Sequence, residues 1–473
     1  MSMTMMMALA AAALQPAEPS WSDKALMDLE AIREAVAEGT PALHDPANPS
    51  YARWYENGYP QAQYLARQAD GFGDYIRALR FYTAGFEDSH IAAYIEEEAP
   101  DRLVTPHLLG SDADGNVVVV GSKDARIAVG DRLLGCDGKS ALAWVGELVT
   151  PFYGNRAIPH SMGNSYWALT FGYGGDEDRL PKRCTFAREE EQRIVDLDYR
   201  LIPNSELNDL FAELRASGSA SGDTFAVDAD PDLSWVRVGT FMPSDDMDAF
   251  QAEVADKVEA LRSATALVLD IRGNGGGWSG KADLLLRTLF GETLQQQAYK
   301  SLDWTLDYRA SQYVLDAYDY RIENMIAGGA SEADVTRIRN ARANLVDAVA
   351  AGEPLVAYID EDNPPPVAAD ADSPVQGKVY ILADAGCGSA CLDFLDSALQ
   401  MPNVTLIGQP THADAIYNDV LTAPLPSGYG QVVFPKKVFR NRVRDHNQWY
   451  SPEIAWPGGP MTDEAVRAWV KRL

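Results

Sequence analysis

The chain has 473 residues, too many for one ordinary hydrophobic core, so two or three domains are expected. Hydrophobic residues make up 46% of it, enough to bury sizeable cores, while 69 acidic against 40 basic side chains leave a formal charge of −29. The Lys and Arg residues form no basic patch, so that charge argues against nucleic acid and anionic membrane surfaces as partners and disfavours strongly acidic peptides as ligands.

Near the start, Met5-Met-Met-Ala-Leu-Ala-Ala-Ala-Ala-Leu14 is an apolar run too short to span a bilayer, broken by Gln15-Pro-Ala-Glu-Pro-Ser20. It reads as the h-region and cleavage zone of a signal peptide within residues 1–19, although no Lys or Arg precedes it. The expectation is an extracytoplasmic protein, periplasmic or secreted, with a cytoplasmic location as the alternative. No later stretch reads as a transmembrane helix, so membrane insertion is not expected.

Residues 20–98 are read as a helical segment that carries Phe86-Glu-Asp-Ser89-His90. A small β unit is placed at 99–150, where Val129-Gly-Asp-Arg-Leu-Leu134-Gly-Cys-Asp137-Gly138 reads as a strand closed by an Asp-Gly turn. Residues 151–473 form the larger domain. Within it, Trp235-Val-Arg-Val-Gly-Thr-Phe241 is a strand, and Ser244 caps a helix with Met247, Phe250, Val254, Val258 and Leu261 on one face. Ala266-Leu-Val-Leu-Asp-Ile-Arg-Gly-Asn-Gly-Gly-Gly277 is then a strand covered on both faces that runs into a three-glycine turn. Asp270, Arg272 and Asn274 sit at its C-terminal end, where α/β proteins keep their chemistry, and Gly275 to Gly277 allow positive φ and a close approach to backbone N–H groups. A dinucleotide fingerprint lacks its acidic partner on a second strand, and the P-loop pattern is absent.

An insertion covers about 300–370. Leu306 to Ile326 is apolar at roughly helical spacing, Val335 to Val349 is a second helical stretch after the Ser331 cap, and Asp360-Glu-Asp-Asn-Pro-Pro-Pro-Val is a polar break. A helical hairpin here is a lid, a dimer arm in a homo-oligomer, or an ordinary packed insertion. Val379-Tyr-Ile-Leu-Ala383 is the next buried strand, followed by Asp384-Ala-Gly-Cys-Gly-Ser389-Ala-Cys-Leu-Asp393 and then by Leu392, Leu395 and Leu399 at helical spacing. Ser389 therefore opens a helix, either as an N-cap or as a nucleophile beside free backbone N–H donors. The G-x-S-x-G elbow is not present, because Cys387 and Cys391 stand where it needs glycines. The four cysteines, Cys136, Cys184, Cys387 and Cys391, leave the compartment open; the last two either form a disulfide across the Ser389 loop or are small packing residues. No Cys/His set has ligand spacing, so no metal is expected, and nothing points to a cofactor.

Together these segments resemble the S41 family of serine peptidases, the carboxyl-terminal processing and tricorn-core group. The family pattern is a strand ending in D-x-R-x-N-x-G-G, a strand ending in a loop with Ser-Ala at a helix start, and a further strand running into G-x-x-T. Here those are Asp270 to Gly277, Ser389-Ala390, and Leu406-Ile-Gly408-Gln-Pro-Thr411. The resemblance covers roughly residues 75–455. It implies an α/β catalytic domain of the crotonase-like superhelical type, with ββα repeats, and a polypeptide substrate. Phe86 to His90 resembles the family's L-x-D-x-H segment, which implies His90 as general base, supported by Ser89 as in tricorn-type members. Ser389 would be the nucleophile, with the oxyanion held by Ala390 and a glycine of the turn, Gly276 first. Asn116 to Lys139 resembles a PDZ-type repeat, which implies binding of an extended peptide by its terminal carboxylate.

Two departures from the family stand out. The lysine of the Ser–Lys branch, about 25 residues after the serine, is replaced by Asp414, and neither Lys281 nor Lys436 matches it. The glutamate of the tricorn branch has no counterpart in Arg442-Val-Arg-Asp445-His-Asn-Gln-Trp-Tyr-Ser-Pro452-Glu-Ile. Asp445, Asp414 and Asp393 are the candidate orienting acids, each also readable as a solvated carboxylate. The expected function is a serine endopeptidase. The alternative is a catalytically inactive S41-fold binding protein for peptides or hydrophobic small molecules, since the fold also serves retinoid-binding proteins.

Overall fold

The computed structural model describes residues 18–96, 99–112, 114–218, 224–302, 304–357, 372–458 and 461–473. The apolar run at 5–14 and the proline-rich break at 360–367 lie outside the described residues. Among the described residues no helix is long and apolar enough to cross a membrane.

Six strands form the central sheet, in the order Phe225–Asp228, Leu233–Val238, Ala266–Asp270, Lys378–Ala383, Val404–Gly408 and Ile454–Ala455. The first pair is antiparallel and the remaining neighbours are parallel. Parallel strands need cover on both faces, and period-two alternation supplies it. Val236, Leu267, Leu269 and Ile381 face one cluster, with Met247 and Phe250 of helix Asp245–Asp256, Leu285 and Leu286 of helix Ser279–Phe290, and Leu395 of helix Ala390–Ala398. Trp235, Val268, Tyr380, Leu382 and Ile407 face the other, closed by Val466 and Trp469 of helix Asp463–Val470. Full burial of each such side chain contributes about 1.5–3 kcal/mol. Ser244 caps its helix by accepting the Met247 N–H at 3.1 Å, but that helix ends at Lys257, and Leu261 reaches the core from the separate helix Val258–Ser263.

Helices Trp21–Glu34, Pro49–Ala66 and Phe72–Ala84 share one core with strands Tyr417–Pro424 and Gly430–Arg440. Just beyond these helices, Ala92–Ile95 pairs antiparallel with Gly430–Arg440, so the N-terminal segment is stitched into a C-terminal sheet. The insertion joins the same sheet. Thr305–Arg309 is a strand rather than the helix start that its apolar residues suggest, because Leu306 and Tyr308 pair with Phe439 and Lys437 across an available edge. The helix begins only at Gln312, where Ser311 accepts the Val314 N–H at 3.1 Å. Helices Gln312–Ala327 and Glu332–Ala343 then bury Val314, Tyr318, Val335 and Ile338 in the N-terminal core.

A further sheet runs His107–Ser111, Val117–Ser122, Arg132–Cys136, Arg183–Arg188 and Glu191–Asp196, with helix Ala141–Leu148 across it. Asp137 and Gly138, at φ 51° and 79°, make the expected two-residue turn. The last two strands lie beyond residue 150, and a Cys136–Cys184 disulfide joins them to the earlier ones.

Candidate active site

The parallel strands end together at Asp270, Ala383 and Gly408, and the polar residues of the glycine turn meet there. Asp270 is fully buried and accepts from Arg272 at 2.8 and 2.6 Å, with Arg237 at 3.0 Å. Burial pushes its carboxyl up, but the two arginines outweigh that and hold it below the usual range. Arg272 also reaches Asp463, at 2.7 Å, on the C-terminal helix. This pair braces the turn against the rest of the domain.

Asn274 is the hub of the turn. Its Nδ2 donates to the Val238 carbonyl at 3.0 Å, its Oδ1 accepts the Gly276 N–H at 2.9 Å, and its carbonyl accepts the Gly388 N–H at 3.1 Å. Three chain segments are thereby locked beside Ser389. Gly276 has φ 103°, and a Cβ built on it would lie 2.7 Å from the Gly388 oxygen, 2.8 Å from Ser389 Cβ and 2.9 Å from the Ala390 nitrogen. Glycine is thus required twice, for its backbone and for the close approach. The Gly276 N–H, however, is taken by Asn274.

Ser389 links strand Lys378–Ala383 to helix Ala390–Ala398. Its φ of 52° and ψ of −124° fall outside the regions open to L-residues, and its side chain does not cap the helix. Of the two readings of this serine, capping is therefore not the one adopted. The Ala390 N–H opens the helix, and among the described residues nothing accepts from it. Asp384 secures the loop by accepting from Gly273 and Gly386 at 2.8 and 2.9 Å. Cys387 and Cys391 form a disulfide across it.

His90 lies on the turn before strand Ala92–Ile95. Its backbone N–H donates to Asp88 Oδ1 at 2.8 Å. The ring Nδ1 stands 3.5 Å from the same oxygen, at ion-pair range without hydrogen-bond geometry. Burial disfavours the imidazolium, but Asp88 and Asp414 outweigh it and raise its proton affinity above the ordinary value. Asp414 is buried, accepts Arg444 Nη1 at 2.6 Å, and lies 3.5 Å from Arg442 Nη1. Burial pushes its carboxyl up, but Arg442, Arg444 and His90 together hold it far below the usual range.

Two asparagines fix the segment that carries His90. Asn155 and Asn447 donate to the Glu87 carbonyl at 2.8 and 2.9 Å, and Asn155 also donates to Asn447 Oδ1 at 3.0 Å. The Asn447 N–H in turn donates to the Asp414 carbonyl at 3.0 Å. On the Ser389 loop, a Cβ on Gly388 would lie 3.8 Å from His412 Cβ. His412 Nδ1 is bonded to the Ala413 carbonyl. Burial, and the charges of His160 and His90, lower its proton affinity.

The other sequence candidates fall elsewhere. Ser89 is exposed, with no bond to His90. Asp445 is exposed as well, held only through its backbone, which Gln448 Oε1 accepts from at 2.7 Å. Asp393 accepts Ser279 Oγ at 2.8 Å and pairs with Arg442, which makes it part of the framework. Neither Asp393 nor Asp445 contacts His90. Asp88, Asn155 and Asn447 were missed. Asp88 carried a signal, since an aspartate two residues ahead of a histidine accepts that residue's N–H as an Asx turn. The asparagines carried none. Among the described residues no group of three or more His, Cys, Asp or Glu side chains is placed to hold a metal ion.

Comparison with known proteins bears on the fold and on the segment around Ser389. No curated protein matches the chain. Mature CPAF shares 15% identity at a TM-score of 0.63, covering 94% of each chain, and mature CPAF complexed with lactacystin shares 14% at 0.61, covering 94% of this chain and 95% of that one. At such identities the likeness establishes a common fold. Residues 232–449, which run from the strand before the glycine turn past Ser389 to Trp449, match the family model for peptidase family S41. The segment that carries the glycine turn and Ser389 is thus similar to peptidase family S41, and this match supports a peptidase of the serine type.

Proposed function

We propose that the chain is an endopeptidase in which Ser389 is the nucleophile and His90 the general base. The observation that carries this reading is the backbone of Ser389: a non-glycine residue in a disfavoured conformation, uncapped, at the positive end of a helix and pressed against Gly276. Ser389 Oγ attacks the scissile carbonyl as His90 takes its proton; His90 then returns that proton to the leaving amine, and water clears the acyl-enzyme. The Ala390 N–H receives the developing oxyanion, and removal of one such donor costs about 2.7–4 kcal/mol of transition-state stabilisation. Gly276 shapes this hole without donating, because its N–H is engaged by Asn274. A second donor comes from Gly275 or Gly277, whose N–H groups no described residue accepts.

His90 is preferred to His412 on proton affinity. A base must bind the proton it removes, and the surroundings of His90 strengthen that binding while those of His412 weaken it. Asp88 and Asp414 stabilise the imidazolium in place of the missing glutamate. The sheet at 107–196 serves as the peptide-binding unit, and its Asp-Gly hairpin supports that assignment. An extracytoplasmic location is supported by the two disulfides, since such bonds persist in oxidising compartments. Ser389→Ala should abolish hydrolysis of an unstructured polypeptide with the melting temperature nearly unchanged; sustained turnover by the purified variant would overturn the assignment.

A further inference from the structure

We propose that the Cys387–Cys391 disulfide is the positioning element that holds Ser389 in its reactive backbone conformation, so that peptidase activity requires this bond to be oxidised. The inference rests on the reading of Ser389 as nucleophile.

The chain supplies its own comparison. Ser20, Ser140, Ser244, Ser311 and Ser331 each open a helix with negative φ, and each side chain accepts an N–H from the first turn. That is the favoured conformation of a serine at this position. Ser389 opens its helix with φ 52° and accepts nothing. Something must keep it from relaxing into the ordinary cap, in which its oxygen would turn back to the helix and away from a substrate.

The disulfide is placed to do this. It joins residues four apart and encloses only Gly388, Ser389 and Ala390. Both cysteines are fully buried in the core beneath the loop. On one side of the ring Gly388 is fixed by its N–H bond to Asn274, and on the other Cys391 lies in the first turn of the helix. A ring this small removes little disorder from the unfolded chain, so its effect is local. The Cys136–Cys184 bond, with a separation of 48 residues, ties two strands of another sheet and encloses no reactive group.

Opening the ring is a two-electron reduction. A dithiol gives two electrons and two protons, the Sγ–Sγ bond of Cys387 and Cys391 breaks to give two thiols, and the dithiol closes to its own disulfide. Ser389 is then free to take the cap conformation.

The test uses the full chain and a fluorophosphonate, which reports an activated serine without a peptide substrate. Four proteins are compared: wild type, Cys387→Ala/Cys391→Ala, Cys136→Ala/Cys184→Ala and Ser389→Ala. The Cys387→Ala/Cys391→Ala variant should label and turn over roughly fivefold more slowly or worse, the factor set by the low end of the strain in such a backbone, with KM little changed. Cys136→Ala/Cys184→Ala should label at the wild-type rate. Where the first variant does not fold, wild type is titrated with dithiothreitol and labelling is plotted against the fraction of free Cys387 and Cys391 thiols. A fall in parallel with ring opening supports the proposal. Wild-type labelling in the folded variant, or in protein whose ring is open, overturns it. Undiminished labelling of Ser389→Ala would instead refute the nucleophile reading itself, so the two failures are distinct.

Discussion

Gly276→Ala tests the geometry of the site without replacing a reacting group. The new methyl would meet the Gly388 oxygen at 2.7 Å, Ser389 Cβ at 2.8 Å and the Ala390 nitrogen at 2.9 Å, where ordinary contact begins at 3.4 Å. Two of these neighbours are backbone atoms, which cannot turn aside as a flexible side chain would. The Ser389 loop must therefore retreat from the turn by roughly half an ångström or more in a close-packed interior. Alanine at φ 103° adds a backbone cost of about 1–3 kcal/mol. Misplacing a reacting group by about 1 Å costs on the order of a hundredfold in rate, so kcat should fall between about tenfold and a hundredfold. KM should stay nearly constant, because the turn's contribution is made in the transition state. Steady-state kinetics on an unstructured polypeptide, paired with the rate of fluorophosphonate labelling, reads both effects. Wild-type kcat in a folded Gly276→Ala protein would refute the argument that Gly276 and Ser389 form one catalytic surface.

Four further outcomes are expected. Activity should rise with pH through a value above the ordinary imidazole pKa of about 6.5, and His90→Ala should be inactive while His412→Ala retains most of its rate; an active His90→Ala protein beside a dead His412→Ala one would reverse the assignment. Because folding raises the proton affinity of His90, its contribution to stability is fully present below the unfolded pKa and is lost as pH rises through the folded one, so in this window activity and that contribution move in opposite directions, which thermal melts across the same buffers check. Asp88→Asn removes the nearest anion from His90, so the rising limb should shift to lower pH with a reduced plateau; an unmoved limb would exclude Asp88 from the site. Finally, if the sheet at 107–196 reads chain ends, peptides with a free C-terminal carboxylate should show lower KM than the same peptides amidated, and equal values would leave that unit a structural or gating element.

The catalytic half of the molecule was legible because its signals are local. Ala266 to Leu269 and Val379 to Ala383 read as buried strands, and that is how they pack, since a parallel sheet covered on both faces demands continuous apolar runs. Ser389 was legible as a helix-opening residue, but its φ is a tertiary consequence that no spacing rule encodes. The surroundings of His90 were not legible. They assemble only because Ala92–Ile95 pairs with a strand near the other end of the chain, which brings Asp414, Asn447 and Arg444 to the same place. Asp445 looked as eligible as Asp414 because sequence does not reveal which carboxylate faces an arginine pair and which faces water. Thr305–Arg309 was misread for a related reason: an open sheet edge decided its conformation against its apolar spacing.

The central claim is that Ser389 is an activated nucleophile served by His90. The measurement that tests it most directly is mass-spectrometric mapping of the fluorophosphonate adduct on native protein, wild type beside His90→Ala. The account predicts one adduct, on Ser389, that forms in wild type and fails to form at a comparable rate when His90 is removed. An adduct on any other serine, or Ser389 labelled equally fast without His90, would contradict it.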